Sequence, residues 1–388
     1  MHRQLRRLLQ WGQSLSATLL SSIPAPLWRL RPSSKHTWAF LFAVGITLSV
    51  AIPSYASATG GGFHIGARQN DQLISQQPRQ VDLTLVSFAV TRAAYDRIIP
   101  QFTRKWAREN NGQVVRFRTS YGGSGSQTRA VLDGLDADVV ALALEGDVNR
   151  LQQGGLINSG WQREAPNNSI VAKSVSVLVT RAGNPKNIRT WRDLAKPDVR
   201  VITADPKTSG VARWNFLALW GSVTETGGTE AQARQFVGQV YRNVPVLPRD
   251  AREATDIFLQ RGQGDVLINY ENELLLAQLQ RQATNPYIIP AANISIDVPV
   301  AVVDRNVDRK GTRRVAEAFV QYLFTPEAQR EFARVGFRPV NAQVARENQR
   351  RFPSVAKLFT VADFGGWDQV QRRFFADGAI FDQIRRQR

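Results

Sequence analysis

The 388-residue chain has no cysteine, one methionine and three histidines. Without cysteine there is no disulfide, no thiolate nucleophile, no cysteine metal ligand and no lipidated N-terminal cysteine. Two of the histidines, His2 and His36, fall within the first 58 residues, and the third, His64, lies in a stretch rich in Gly, Gln and Asn. The body of the chain therefore lacks the central residue of a Ser-His-acid triad and of a histidine metal site. The phosphate-loop signature G-x-x-x-x-G-K-[ST] is absent, and Gly123-Ser124-Gly125 does not extend to G-x-G-x-x-G. Gly122-Gly123-Ser124-Gly125-Ser126 lacks the last glycine of the nucleophile elbow G-x-S-x-G.

The first 58 residues also lack acids. They carry six basic residues, from Arg3 to Lys35, then an apolar run from Trp38 to Ile52 and the small residues Ala56-Ser57-Ala58. That order reads as a basic segment, a hydrophobic segment and a cleavage site, hence a signal peptide over 1–58. The alternative is an uncleaved anchor, but the apolar run is shorter than the roughly 20 residues a spanning helix needs. Arg6-Arg7 lies too far upstream to serve as a twin-arginine signal. Removal of the leader takes the net charge from +18 to about +12. A basic balance raises the possibility of nucleic acid; basic and acidic residues alternate along most helical patterns, which favours a solvated surface that mildly attracts anions.

At 43% hydrophobic residues the chain suits a soluble protein long enough for two cores. Residues 59–80 read as a flexible linker. From 81 to 170, strand, helix and strand patterns alternate with short connections, as in a parallel sheet covered by helices. A second such unit spans 171–297. The apolar run from Val298 returns to the first unit, and helical patterns dominate 298–388.

Three loops bear on function. Thr119 to Gln127 is a Gly/Ser turn between a β-branched strand and a helix. Thr208-Ser209-Gly210 opens the helix that runs to Trp220, and Pro248 to Ala251 opens another. Ligands of open parallel sheets sit beyond the carboxyl ends of the strands, and helix starts offer unpaired N–H groups and a positive dipole end. Two facing units would aim several such ends into one cleft, which suits a tetrahedral oxyanion. The serine loops have no acid beside their serines apart from Asp205. That leans towards sulfate, which carries no proton at neutral pH, and away from phosphate, which keeps one. Each loop taken alone also fits a strand–helix turn without a ligand. Ser124 also fits a helix N-cap, and Tyr270 a packing residue; Trp214 and Trp220 read as core. The chemical alternatives are a secreted phosphoryl or sulfuryl hydrolase using Ser124 and a basic nucleic-acid-binding module.

Several stretches in order, SYGGSGSQTRAVLDGLDADVVALAL (120–144), VTRAGNPKNIRTWRDL (179–194), ITADPKTSGVARWNFLALWG (202–221), FLQRGQGDVLINYENE (258–273), LFTVADFGGW (358–367) and FADGAIFDQI (375–384), resemble the periplasmic sulfate/thiosulfate-binding receptors of ABC importers. The likeness runs from Val81 to Ile384. It implies an α/β, two-lobed type II periplasmic-binding-protein fold, each lobe a mixed sheet flanked by helices, that closes on one dehydrated sulfate. By position, Ser124 and Ser209 would donate hydroxyls, and Ala89, Gly210, Val211 and Ala251 backbone N–H groups. Tyr270 stands where the sulfate-binding branch has an indole donor, and Ala89 where the family usually has an aspartate. The thiosulfate-preferring branch also has a non-tryptophan aromatic at the position of Tyr270. The resemblance further implies a periplasmic monomer without metal or cofactor and without catalysis. It would carry sulfate or thiosulfate to ABC permease membrane subunits and bind no nucleic acid. Thiosulfate, molybdate and phosphate remain alternatives within the fold.

Overall fold

A computed structural model describes residues 80–386; the expected leader, and the linker up to residue 79, lie outside the described residues. The described chain begins with β1 (Gln80–Phe88), α1 (Arg92–Glu109), β2 (Val114–Gly122), α2 (Ser124–Leu132), β3 (Val139–Ala141) and α3 (Glu145–Gln153). It continues with β4 (Ile170–Ser174), β5 (Ser176–Thr180), β6 (Val201–Ile202), α4 (Gly210–Thr224), α5 (Glu230–Arg242), α6 (Ala251–Leu259), β7 (Val266–Tyr270) and α7 (Glu271–Leu279). Then come β8 (Tyr287–Ile288), β9 (Ala292–Ile294), β10 (Ile296–Val302), α8 (Asp304–Lys310), α9 (Arg313–Tyr322), α10 (Pro326–Arg334) and β11 (Arg338–Pro339). The last elements are α11 (Ala342–Glu347), β12 (Lys357–Phe359), α12 (Gly366–Val370) and α13 (Ile380–Arg386).

The strands form two principal sheets, ordered β11-β4-β10-β3-β1-β2 and β6-β7-β5-β8. In the first, β1 runs parallel to β2 and β3, while β10 lies antiparallel between β3 and β4. In the second, β6 and β7 are parallel and β5 is antiparallel to both β7 and β8. Each lobe is thus a mixed sheet. Because β4 belongs to the first sheet and β5 to the second, the chain crosses at Val175, and it returns through Ser295. The Asn293 side chain ties the two crossings, donating to the Ser176 carbonyl at 2.8 Å and accepting from the Ser176 N–H at 3.3 Å. The end of the chain goes back to the second lobe. There β12 pairs with β9, and Phe374, Phe375 and Phe381 pack on Phe216 of α4.

Local sequence explains the elements that reach the cleft. Every residue of α4 from Gly210 to Gly221 is buried, as expected of a helix that is apolar around most of its circumference, with Arg213 and Asn215 the polar exceptions. Trp214 and Trp220 are core, as the sequence suggested. In α6, Asp250 caps the first turn by accepting from the Glu253 N–H at 2.9 Å. Helix α2 starts at Ser124 directly after Gly123, whose backbone is extended. Among the described residues, no helix is long and apolar enough to cross a membrane.

Candidate functional site

All seven residues singled out by the sequence line one cavity between the two sheets: Ala89, Ser124, Ser209, Gly210, Val211, Ala251 and Tyr270. The cavity measures about 10 Å3, accommodating a water molecule or a compact ion but not a sugar or nucleotide. Ala89 and Ser124 come from the first lobe and the other five from the second.

Their donor groups follow from their positions. Ser124 is the first residue of α2, Gly210 and Val211 the first two of α4, Ala251 the first of α6, and Ala89 the first of a 3-10 turn (Ala89–Thr91). N–H groups at such starts have no partner within their own helix. Ser209 occupies the N-cap of α4 without using its side chain as a cap, so its hydroxyl remains available. Tyr270 is 2% exposed, and its hydroxyl is buried without a hydrogen-bond partner. Burial, reinforced by the charges of Asp147 and Glu273, pushes this phenol well above its ordinary pKa, so it keeps its proton. The Phe88 ring meets the Tyr270 ring edge-on at 6.2 Å.

The Ser124 hydroxyl is engaged within the protein. The Ser124 hydroxyl donates to Asp147 Oδ2 at 2.6 Å and accepts from the Ala143 N–H at 3.0 Å. Its proton therefore points at a carboxylate, and the group Ser124 can offer the cavity is its backbone N–H. Two acids from outside the serine loops also stand at the site. Asp147 of α3 touches Ser124, and Asp250 lines the cavity. Asp205 instead orders its own loop, accepting from the Lys207 N–H at 2.9 Å. Asp147 is fully buried, and its second oxygen lies 3.7 Å from Arg213 of α4.

Sequence reasoning also missed Asn269. Its amide donates to the Ala251 carbonyl and to Thr255 Oγ1, each at 2.9 Å, and its oxygen accepts from the Tyr270 N–H at 2.8 Å. One buried amide thus fixes two walls of the cavity. The only local hint is a polar residue near the end of an otherwise apolar strand.

The two lobes are pressed together around the cavity. A Cβ on Gly210 would lie 2.5 Å from the Ala143 Cβ and 3.5 Å from the Ser124 Cβ. A Cβ on Gly123 would lie 2.8 Å from the Thr208 carbonyl oxygen. Trp214 Nε1 donates across the cleft to the Ala143 carbonyl at 2.8 Å.

Two mixed sheets joined by two crossings, with a closed cavity walled by helix starts, define a solute receptor of the type II periplasmic-binding-protein class. The chain belongs to the bacterial extracellular solute-binding protein family, which it matches over residues 83–338. It is 59% identical over 355 residues to the sulfate-binding protein of Synechococcus elongatus, covering 91% of this chain and 96% of that one. It is 39% identical to the thiosulfate-binding protein of Pseudomonas aeruginosa, covering 77% and 90% respectively. Among solved structures it resembles the sulfate-binding protein SubI from Mycobacterium tuberculosis H37Rv. The TM-score is 0.69 at 38% identity, over 76% of this chain and 99% of that one.

Proposed function

We propose that the protein is an extracytoplasmic receptor that captures sulfate between its lobes and delivers it to the membrane subunits of an ABC importer. One observation carries this reading: a water-sized cavity faced by five helix-start N–H groups, the free Ser209 hydroxyl and the unpartnered Tyr270 phenol, with no cation in its wall. Seven neutral donors suit the four oxygens of a fully deprotonated tetrahedral ion, whose desolvation must be met by hydrogen bonds on all sides. Helix starts add favourable dipoles. The similarity to sulfate-binding relatives supports the same ligand.

In this reading the leader is cleaved, the mature chain works as a monomer in the periplasm, and no bond is made or broken. Ser124 does not act as a nucleophile, because it is 1% exposed and its proton faces Asp147. Thiosulfate is the second reading, favoured by the phenol of Tyr270 at the position of the indole. Calorimetric titration with sulfate, thiosulfate, molybdate and phosphate decides among the anions. Sulfate is expected to bind tightest at one per chain; a preference for thiosulfate would transfer the assignment to that anion. An aryl sulfate or aryl phosphate is expected to show no turnover.

A further inference from the structure

We propose that the closed seam between the lobes holds a second anion site, formed by Arg150, Arg213 and Arg372, that takes a compact polyanion and favours lobe closure. A cavity of about 200 Å3 opens there, and it shares no lining residue with the first. Helix α3 of the first lobe supplies Arg150 and Gln153. Helix α4 supplies Arg213, and the C-terminal segment packed on α4 supplies Asp368, Gln371 and Arg372. Three guanidinium groups therefore face a single lining carboxylate.

Among the described residues, neither Arg150 nor Arg372 has a carboxylate within ion-pair reach. Arg213 is 7% exposed. Its Nε donates to the Pro206 carbonyl at 2.8 Å, but Nη1 stands 3.7 Å from Asp147, beyond hydrogen-bond length. Among the described residues its terminal nitrogens have no hydrogen-bond partner. The ion pair with Asp147 is long, and Arg213 lines the cavity, where an anion can meet its terminal nitrogens. Burial pushes Arg213 below its ordinary pKa; Asp147 opposes this, while the positive charges of Arg150 and Arg129 add to it. Guanidinium forks match the paired oxygens of phosphate-type groups, and the two nearby amides can complete the hydrogen bonding. Because residues of both lobes form the walls, the site is whole only when the lobes are closed. An anion bound there stabilises the closed form and raises affinity at the first cavity by linkage. That coupling rests on the sulfate reading; the site itself does not.

The test uses the full chain and inorganic pyrophosphate, which is too large for the first cavity. Calorimetry without sulfate is expected to show one saturable equivalent. The double variant Arg150→Gln/Arg372→Gln changes one half-buried and one exposed side chain and should fold normally. It should weaken pyrophosphate binding at least about tenfold and leave sulfate affinity in pyrophosphate-free buffer within about twofold. Saturating pyrophosphate should raise sulfate affinity several-fold in the parent chain and not in the variant. Absence of saturable binding, binding indifferent to the two substitutions, or binding that leaves sulfate affinity unchanged would each overturn the proposal. If pyrophosphate binds with the expected arginine dependence while sulfate does not bind at all, the sulfate reading falls and the second site stands.

Discussion

The two serines of the cavity look alike in sequence and differ in what their hydroxyls can do. The Ser209 hydroxyl has no capping bond to satisfy, so removing it takes a donor from the ligand. Ser209→Ala should weaken sulfate binding by about 1–3 kcal/mol, the scale of a hydrogen bond to a charged group. The Ser124 hydroxyl instead serves Asp147, whose other oxygen has no hydrogen bond. Ser124→Ala should therefore lower folding stability by about 1–3 kcal/mol, as expected when a buried carboxylate loses its donor, while keeping the backbone N–H. Urea unfolding measures the first effect. Titration of the same variant should show sulfate affinity within about threefold of the parent, since the lost group does not face the ligand. A large loss of affinity without loss of stability would return the hydroxyl to the ligand and remove the role assigned to the N–H.

At the scale of elements, the cavity depends on how closely α4 approaches the β3–α3 connection. Gly210 is required there because any Cβ would meet that of Ala143 at 2.5 Å, well inside van der Waals contact. Gly210→Ala should hold the lobes apart and weaken sulfate binding at least about tenfold. The compaction seen by small-angle scattering on adding sulfate should shrink with it. Pairing the change with Ala143→Gly removes the opposing methyl and should restore much of both, a double-mutant test of direct contact. Asn269→Leu should act on two walls at once, removing one of the donors to the Ala251 carbonyl and the acceptor of the Tyr270 N–H. Its loss of affinity should exceed that of Tyr270→Phe, which removes only the phenol donor.

The same scale separates what could be read in the sequence from what could not. The helix starts at Ser124, Gly210 and Ala251 are local signals, because caps, glycines and strand ends sit within a few residues of one another. The alternation of strand and helix likewise announced the two lobes. Asp147 joins Ser124 across 23 positions, and Asn269 joins Ala251 across 18. Nothing in local composition encodes such pairings, since both depend on which helix packs beside which strand. The partner of the Ser124 hydroxyl has the same origin: the residue's type and place were legible, but the carboxylate it meets comes from another helix. Strands β4 and β5 are nearly continuous in sequence, separated by Val175 alone, and only sheet pairing assigns them to different lobes.

For the whole molecule, the chemistry of the cavity predicts how binding responds to pH. The backbone N–H groups and the Ser209 hydroxyl do not titrate in the ordinary range, and sulfate carries no proton near neutrality. The one cavity donor that could ionise near the alkaline end is the Tyr270 phenol. Its donating form is the protonated one, and burial together with the charges of Asp147 and Glu273 raises its pKa well above the ordinary phenol value. A raised value keeps the donor protonated, so the interaction is present at low and neutral pH and is lost only as pH climbs through that raised value. Sulfate affinity should therefore stay flat from about pH 6 to about pH 9. A hydrogen phosphate site would behave differently, because phosphate changes its own protonation within that interval. Calorimetric titrations across the range, at constant ionic strength so that screening of the basic surface does not intrude, measure this directly. A drop in affinity on the alkaline side that disappears in Tyr270→Phe would show that the phenol ionises early and that burial does not protect it. A drop that persists in Tyr270→Phe would count against a site made of donors alone.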